Sequence, residues 1–494
     1  MLTPQDRIVA ARLRQALLRA EFTADGVLGL VGAQAYSALS REEFVPARLG
    51  LRGVSSVLAD LVRLFVLDEV LDIDALAEQF PLDDVRSLGL VEGSERIHAI
   101  VDVRPYGEPD TDWYVVSDHS AGRGAISKVE VDSDHVLGVG GASLTLARIT
   151  PRIAVKRALD IGTGCGVQAL HLSRHCGEVV ATDNNPRALR CADLSAVLSG
   201  FDWDTRVGSF LEPVNGETFD LIVSNPPFVI SPGHRYTYRD AGFEADHLGR
   251  DLVAALPSHL TEHGVAVLLA NWLHVEGEDW RERVTTWVTD IGCSAWIAQR
   301  EVQDPTEYVG LWLRDAGNAG SDQDRRYEDW LQTLESWGTQ SIGFGWIVLT
   351  KSDRPWVHLE DVSEAHRLPN GDEVMAVLGA LDDLERTNAF ALLESRLAVA
   401  AGVVVRSQER YVENGEWAAG PAMLSRPDGW RQDQFLDAVT RELVAHCDGQ
   451  ATVRQLIDSA AAELAIDEDE VLAIGLIRLR ELIAQGFLIL ANDS

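Results

Sequence analysis

Apolar positions along this chain recur with two different periods, and the change between them divides it. Over the first 95 or so residues the spacing is helical. Pro4–Arg19 is amphipathic and arginine-rich, Val57–Leu67 is apolar, and 74–79 and 82–88 are short helical patterns. Strand-like runs at 97–103 and 113–116 follow. From Arg152 to about Lys351, short apolar runs alternate with helical stretches, the pattern of an α/β parallel sheet. The strand candidates are 154–161, 178–183, 219–224, 265–271, 295–302 and 344–350, and the helical stretches are 167–176, 186–199, 251–261 and 280–291. An insertion around 303–340, with a helical run at 325–337, precedes the last strand. Past Lys351 the pattern is mixed until 434–490, where helices at 435–445, 453–464 and 471–484 lead to a strand at 487–490.

These periods predict five segments: a helical region 1–95, a β-rich connector 96–150, an α/β domain 151–351, a mixed extension 352–433 and a small α+β module 434–494. Helix, turn, helix and hairpin at the amino end, and the order at the carboxy end, resemble winged-helix layouts. A helical cap on the neighbouring domain fits the first pattern equally.

Composition narrows the setting. A length of 494 residues exceeds one compact core, and 46% apolar with 24% charged residues is globular rather than disordered. No stretch approaches the roughly 18 uninterrupted apolar residues of a membrane span, and the opening MLTPQDRIVAARLRQ has no signal-like core. A cytoplasmic protein with no membrane partner is expected. Cys165, Cys176, Cys191, Cys293 and Cys447 form no CxxC pair, so neither a disulfide framework nor a structural zinc site is expected. His171 and His175 have helical metal-ligand spacing but no third ligand nearby, so they read as helix surface and no metal is expected. Trp272, Trp280, Trp287 and Trp296 read as core.

The net charge of −34 is unevenly spread. Residues 151–250 hold 10 basic and 12 acidic residues, whereas 351–494 hold 13 and 26. Such a surface repels bare phosphate backbones beyond roughly 8 Å in physiological salt, which argues against non-specific DNA binding. Recognition by a few local arginines stays open.

Asp160-Ile161-Gly162-Thr163-Gly164-Cys165-Gly166 ends one predicted strand and opens a helix. Glycines there let the backbone turn tightly beside a ligand, as in dinucleotide sites. Asp183 ends the next strand at the spacing of a ribose-binding acid. Asp160 precedes the first glycine, where an acid suits a positively charged ligand better than a pyrophosphate. With these residues in view, the segment resembles class I S-adenosylmethionine-dependent methyltransferases over about 200 residues. The resemblance implies a Rossmann-like seven-stranded sheet with S-adenosyl-L-methionine as cofactor. It also implies that the loop, with Thr163, holds the methionine moiety and that Asp183 and Asn184 lie at the ribose. After the third strand, Ser209 stands where the family often has an acid or amide near adenine.

Asn225-Pro226-Pro227-Phe228 directly follows the apolar strand Phe219–Val223 and carries the most specific chemistry. An amide or exocyclic amine nitrogen is planar and weakly nucleophilic. Two acceptors aimed at its hydrogens favour the tetrahedral form that attacks a methyl group, and both bonds strengthen as charge develops on nitrogen. The Asn225 side-chain oxygen and the Pro226 carbonyl are candidates, with the prolines fixing the backbone and Phe228 giving a face for stacking. The resemblance to class I methyltransferases also implies that Asn225 borders the cofactor. The motif resembles amino-methyltransferases acting on adenine N6, on ribosomal guanine N2 or on release-factor glutamine N5, and Phe228 is most like the guanine-N2 group. RNA is therefore the leading partner and a protein glutamine the rival, with a non-catalytic S-adenosylmethionine-binding scaffold as a third reading. Arg235, Tyr236 and Tyr238, just after the corner, are candidate substrate contacts through phosphate or base stacking. Ser143 and Thr145, ahead of the glycine loop, are candidates for closing over the methionine end.

Overall fold

The computed structural model describes residues 1–76, 79–107, 111–119, 134–232, 245–315, 323–411 and 417–491. The chain divides into two units. One comprises 1–147, 153–291 and 303–344; the other comprises 148–152, 292–302 and 345–494.

The first unit is organised by five parallel strands: β1 (Val155–Ile161), β2 (Cys176–Asp183), β3 (Asp204–Val207), β4 (Phe219–Ser224) and β5 (Leu260–Val275). Their spatial order is β5-β4-β1-β2-β3. All the expected strands of the α/β segment are present, and β3 is an addition. The apolar runs of β1, β2 and β4 are buried, with Leu159, Val180 and Leu221 at 0% exposure, as both faces of a parallel sheet require. Register aligns the strand ends: Ile161 pairs with Thr182 and with Ser224, and Asp183 pairs with Val207. The chain leaves β1 towards β2 and β3, then returns to the other side for β4 and β5. That reversal opens a crevice beyond the carboxyl ends of β1 and β4, the place where open α/β sheets bind ligands.

Helix α1 (Pro4–Arg19) is started by a Thr3–Asp6 capping box with Pro4 in its first turn. Helix α2 (Val167–Leu172) follows the glycine loop, and helix α3 (Pro186–Ser199) is capped by Asn185 and ended by left-handed Gly200. The Asp193 carboxylate on α3 is fully buried and accepts from the Leu2 N–H, the Arg7 guanidinium and the Thr205 hydroxyl, at 2.8, 2.9 and 3.1 Å. The hairpin Asp102–Tyr106 with Trp113–Ser117 also lies on α3, with Ser199 and Ser195 hydroxyls accepting from the Tyr114 and Val116 N–H groups. Three helices unforeseen in the sequence, Ala24–Val31, Ala33–Leu39 and Val45–Gly50, precede a three-stranded antiparallel sheet in this amino-terminal region.

The insertion after residue 303 forms two helices, α4 (Pro305–Asp315) and α5 (Gln323–Ser336). Only the second was expected. Tyr308, Trp330, Leu313 and Ile342 form a core cluster with Val229, Ile230 and Leu273. The helix expected at 251–261 is instead His247–Ala255, because a short 3-10 turn, Leu256–His259, carries Pro257 and β5 starts at Leu260. His171 is a correction to the surface reading: it is 4% exposed, and its Nε2 lies 2.7 Å from the Tyr106 hydroxyl. The four tryptophans expected in the core are buried.

In the second unit, Cys293–Gln303 runs parallel to Val357–Asp361. Helix Gly371–Arg386 starts with an Asn370–Glu373 capping box. Strand Arg396–Val399 pairs antiparallel with both Asp448–Thr452 and Leu488–Leu490, and helices Ala438–Ala445, Val453–Leu464 and Glu468–Ala484 complete the carboxy-terminal module. The start expected for its first helix at Phe435 gives way to a strand, Gln434–Leu436, and an Asp437 cap. Among the described residues no helix is long and apolar enough to cross a membrane, and no group of three or more His, Cys, Asp or Glu is arranged to hold a metal.

Candidate active site

A cleft of about 320 Å³ opens at the carboxyl ends of β1, β2 and β4. Gly162, Thr163 and Gly164 form one wall, Asp183 and Asn184 the next, and Ser209 and Phe210 a third. Asn225, Pro226, Pro227 and Phe228 close the opposite side, and 140–143 lie at the start of helix Gly141–Ile149. The sheet register brings residues from the ends of four strands together, because each group follows the end of its strand.

The glycine loop has a split purpose. Gly162 and Gly164 have φ of +70° and +56°, and an added Cβ at either meets nothing within 4 Å, so these two face open space beside the cleft. Gly166 is different and does not line the cleft. Its φ is +88°, and a Cβ would meet Cζ3 of Trp203 at 2.6 Å, so that glycine lets α2 pack rather than a ligand approach. Trp203 is in turn held by its Nε1 donating to Ser173 at 2.8 Å.

Asp160 also departs from expectation. It is 1% exposed, lies beneath the loop, and accepts from the Thr163 hydroxyl at 2.7 Å and the Ala169 N–H at 3.2 Å. Burial pushes its carboxyl up to about 7, with the two hydrogen bonds opposing and nearby Asp183 adding to the rise. Its side chain braces the turn between β1 and α2 and is not among the residues that line the cleft. Residue order along the chain gives no side-chain direction, and that is why the sequence reading put it in the pocket. Asp183 does line the cleft. It accepts from the Gly164 N–H at 3.0 Å and the Asn185 N–H at 2.9 Å, and burial raises its carboxyl above the ordinary range.

Asn225 lies at the end of β4, fixed by the Ser224 hydroxyl donating to the Ile161 carbonyl at 3.0 Å. Its Oδ1 is buried and has no hydrogen-bond partner among the described residues. A buried acceptor left unpaired costs about 1–3 kcal/mol, so its retention at a cleft wall points to a donor that arrives with a ligand. Phe228 is half-buried, and the edge of Trp312 on α4 meets its ring at 6.3 Å and 71°.

Several lining residues were not anticipated. Gln168 on α2 donates to the Ser143 carbonyl at 2.8 Å, which anchors the start of helix Gly141–Ile149 against the glycine loop. Ser143 lines the cleft; Thr145 is buried in that helix. His135–Gly138 reach the rim, where the Val136 N–H and Arg187 both donate to Asp118, and Asn185 donates to the Asp134 carbonyl. Arg235, Tyr236 and Tyr238 fall outside the described residues.

Comparison with known proteins adds to this geometry. Residues 125–273 match the family model described as methyltransferase small domain. The central segment is thus similar to a methyltransferase small domain. Residues 19–102 and 381–490 match two models described only as domains of unknown function (DUF7059 and DUF7782). Curated relatives of the methyltransferase domain include a release factor glutamine methyltransferase from Xylella fastidiosa (strain Temecula1), 38% identical over 130 residues, which are 24% of this chain and 47% of that protein. A ribosomal RNA small subunit methyltransferase C from Salmonella arizonae is 30% identical over 159 residues, 31% of this chain and 43% of that protein. A tRNA1(Val) (adenine(37)-N6)-methyltransferase from Tolumonas auensis is 32% identical over 137 residues, 26% of this chain and 56% of that protein. The chain thus spans about half the length of the relatives it matches.

The residues present fit S-adenosylmethionine. The cleft combines an open glycine turn, an acid at the end of β2 and, at the end of β4, a buried acceptor with no partner among the described residues. Gly162, Thr163, Gly164, Asp183, Asn184 and Ser209 line the side of the cleft that would hold the cofactor, and Asn225 and Phe228 line the opposite side.

Proposed function

We propose that this chain is an S-adenosylmethionine-dependent methyltransferase that acts on a planar NH2 group. One observation carries the reading: the buried Asn225 oxygen, without a partner among the described residues, on the wall of a cleft that begins with the glycine loop. When bound, the cofactor supplies an electrophilic methyl group on a sulfonium.

The protein's own part is positioning and hydrogen bonding. Asn225 accepts one hydrogen of the target amine and the Pro226 carbonyl the other, so both bonds tighten as the nitrogen becomes tetrahedral. The proton leaves to water after transfer, so no strong base is needed. Phe228 presents a flat apolar face to the planar group, and orientation of this kind is worth about 7–11 kcal/mol in favourable cases.

The first candidate substrate is an exocyclic base amine in RNA, guanine N2 or adenine N6. It is supported by Phe228 in the corner and by the ribosomal RNA and tRNA relatives. A protein glutamine amide is the second reading, favoured by the net charge of −34 and by the release factor methyltransferase relatives. The terminal regions, matched only to families without a described function, would then select the substrate in either case. Tritiated methyl transfer into fractionated extract tests both: counts in ribonuclease-sensitive material support RNA, counts in protease-sensitive material support the amide. Counts in neither, from folded protein that binds the cofactor, refute the enzymatic reading.

A further inference from the structure

We propose that the helical pair α4 and α5 is a clamp that fixes the Asn225–Phe228 corner, with Tyr308 and Trp330 as positioning residues; this rests on the methyl-transfer reading above. Ile230, two residues past Phe228, is 3% exposed. Its N–H donates to the Tyr308 hydroxyl at 2.8 Å, and its carbonyl accepts from Nε1 of Trp330 at 3.0 Å. Both main-chain polar groups of one residue are therefore held by side chains from two helices far along the chain.

The clamp is itself braced. Tyr308 and Trp330 are both 0% exposed and meet edge to face at 6.3 Å and 86°. The Tyr327 hydroxyl donates to the Thr306 carbonyl at 2.8 Å, tying α5 to the start of α4. Asn271 on β5 lies 3.5 Å from the Tyr308 hydroxyl through its Nδ2, which references that hydroxyl to the sheet. From the same α4, Trp312 sets its edge against Phe228.

A tyrosine and a tryptophan serving only the core would need any partner for their polar atoms. Here both address the continuation of the catalytic corner, so a shift of that corner breaks two buried bonds together. Methyl transfer demands alignment of nitrogen, methyl and sulfur, and misplacement by about 1 Å costs on the order of 100-fold in rate. Nothing in α4 or α5 lines the cofactor wall described above, so the clamp acts on the corner and leaves cofactor binding alone.

The test uses full-length Tyr308→Phe, which keeps the ring and removes the hydroxyl that meets Ile230 and Asn271, and Trp330→Phe, which puts a smaller ring in place of the indole and removes the bond to the Ile230 carbonyl. Three quantities are read: amide hydrogen exchange over 225–232, affinity for S-adenosylhomocysteine by calorimetry, and kcat and KM for tritiated methyl transfer to fractionated extract. The expected result for each variant is exchange at this segment at least tenfold faster, kcat at least tenfold lower, and cofactor affinity and KM for the cofactor within twofold of wild type. Unchanged exchange overturns the clamp, as does faster exchange with kcat within twofold, or a loss of cofactor affinity matching the loss of rate. If wild type transfers no methyl group, the methyl-transfer reading fails, and the exchange arm still decides whether the two side chains hold the corner. Should Tyr308→Phe fail to fold, Trp330→Phe carries the same three readings.

Discussion

Replacing Asn225 by alanine separates the stability of this protein from its activity. The Asn225 oxygen is buried without a hydrogen-bond partner among the described residues, which costs about 1–3 kcal/mol. Truncation removes that penalty but also loses packing from a half-buried side chain, so the net change should lie between zero and about 1 kcal/mol in favour of the fold. For a unit of this size that raises the melting temperature by at most about 3 °C. During transfer the same oxygen accepts from a nitrogen whose positive charge is growing, and removing a preorganised group of that kind costs about 3–4 kcal/mol, or 10²- to 10³-fold in kcat. Scanning calorimetry, cofactor calorimetry and tritiated methyl incorporation on the same preparation give the three numbers. The reasoning fails if turnover stays within tenfold of wild type. It fails equally if the variant melts several degrees lower, because the oxygen would then be making bonds that hold the fold.

Asp160→Asn tests the bracing carboxyl through pH. A folded-state value of about 7 against an unfolded 3.8 means that the native chain holds this proton more tightly, so the stabilisation is complete below about pH 4 and is lost as pH rises towards 7. The variant's stability relative to wild type should therefore climb between pH 4 and 7, by up to roughly 4 kcal/mol, and level off above; a flat difference in urea midpoints refutes the assignment. Gly166→Ala should destabilise more than Gly164→Ala in thermal unfolding. Both meet a left-handed penalty of about 1–2 kcal/mol, but only the first collides with Trp203. Asp193→Ala should cost about 2–4 kcal/mol in urea unfolding by leaving the Leu2 amide and the Thr205 hydroxyl unpaired and removing one of the two carboxylates that hold Arg7; a change under 1 kcal/mol shows that water replaces the carboxylate.

The parts of this structure that were legible in the sequence are those whose signals are local. Helix Pro186–Ser199 was bounded by its own Asn185 cap, first-turn proline and terminal Gly200. Strand Phe219–Ser224 was an apolar run closed by two prolines. Strand Asp204–Val207 was missed because its short sequence, DTRV, sits at a sheet edge with half-exposed polar side chains and carries no apolar pattern. The glycine loop makes the tight turn that its sequence suggests, yet which of its residues face the cleft depends on φ and on Trp203, about 40 residues away. Tyr308 and Trp330 were invisible for the same reason: their meaning comes from Ile230, 78 and 100 positions earlier.

The buried carboxylate of Asp193 has a practical corollary. The family match begins at residue 125, but α1 reaches across to α3 through Leu2 and Arg7, and the hairpin 102–117 uses α3's serines. A fragment trimmed to the matched segment would strip a charged, water-starved oxygen and a greasy helix face of their cover at once. Such a fragment should aggregate, whereas one that retains the amino-terminal helix and hairpin should stay in solution.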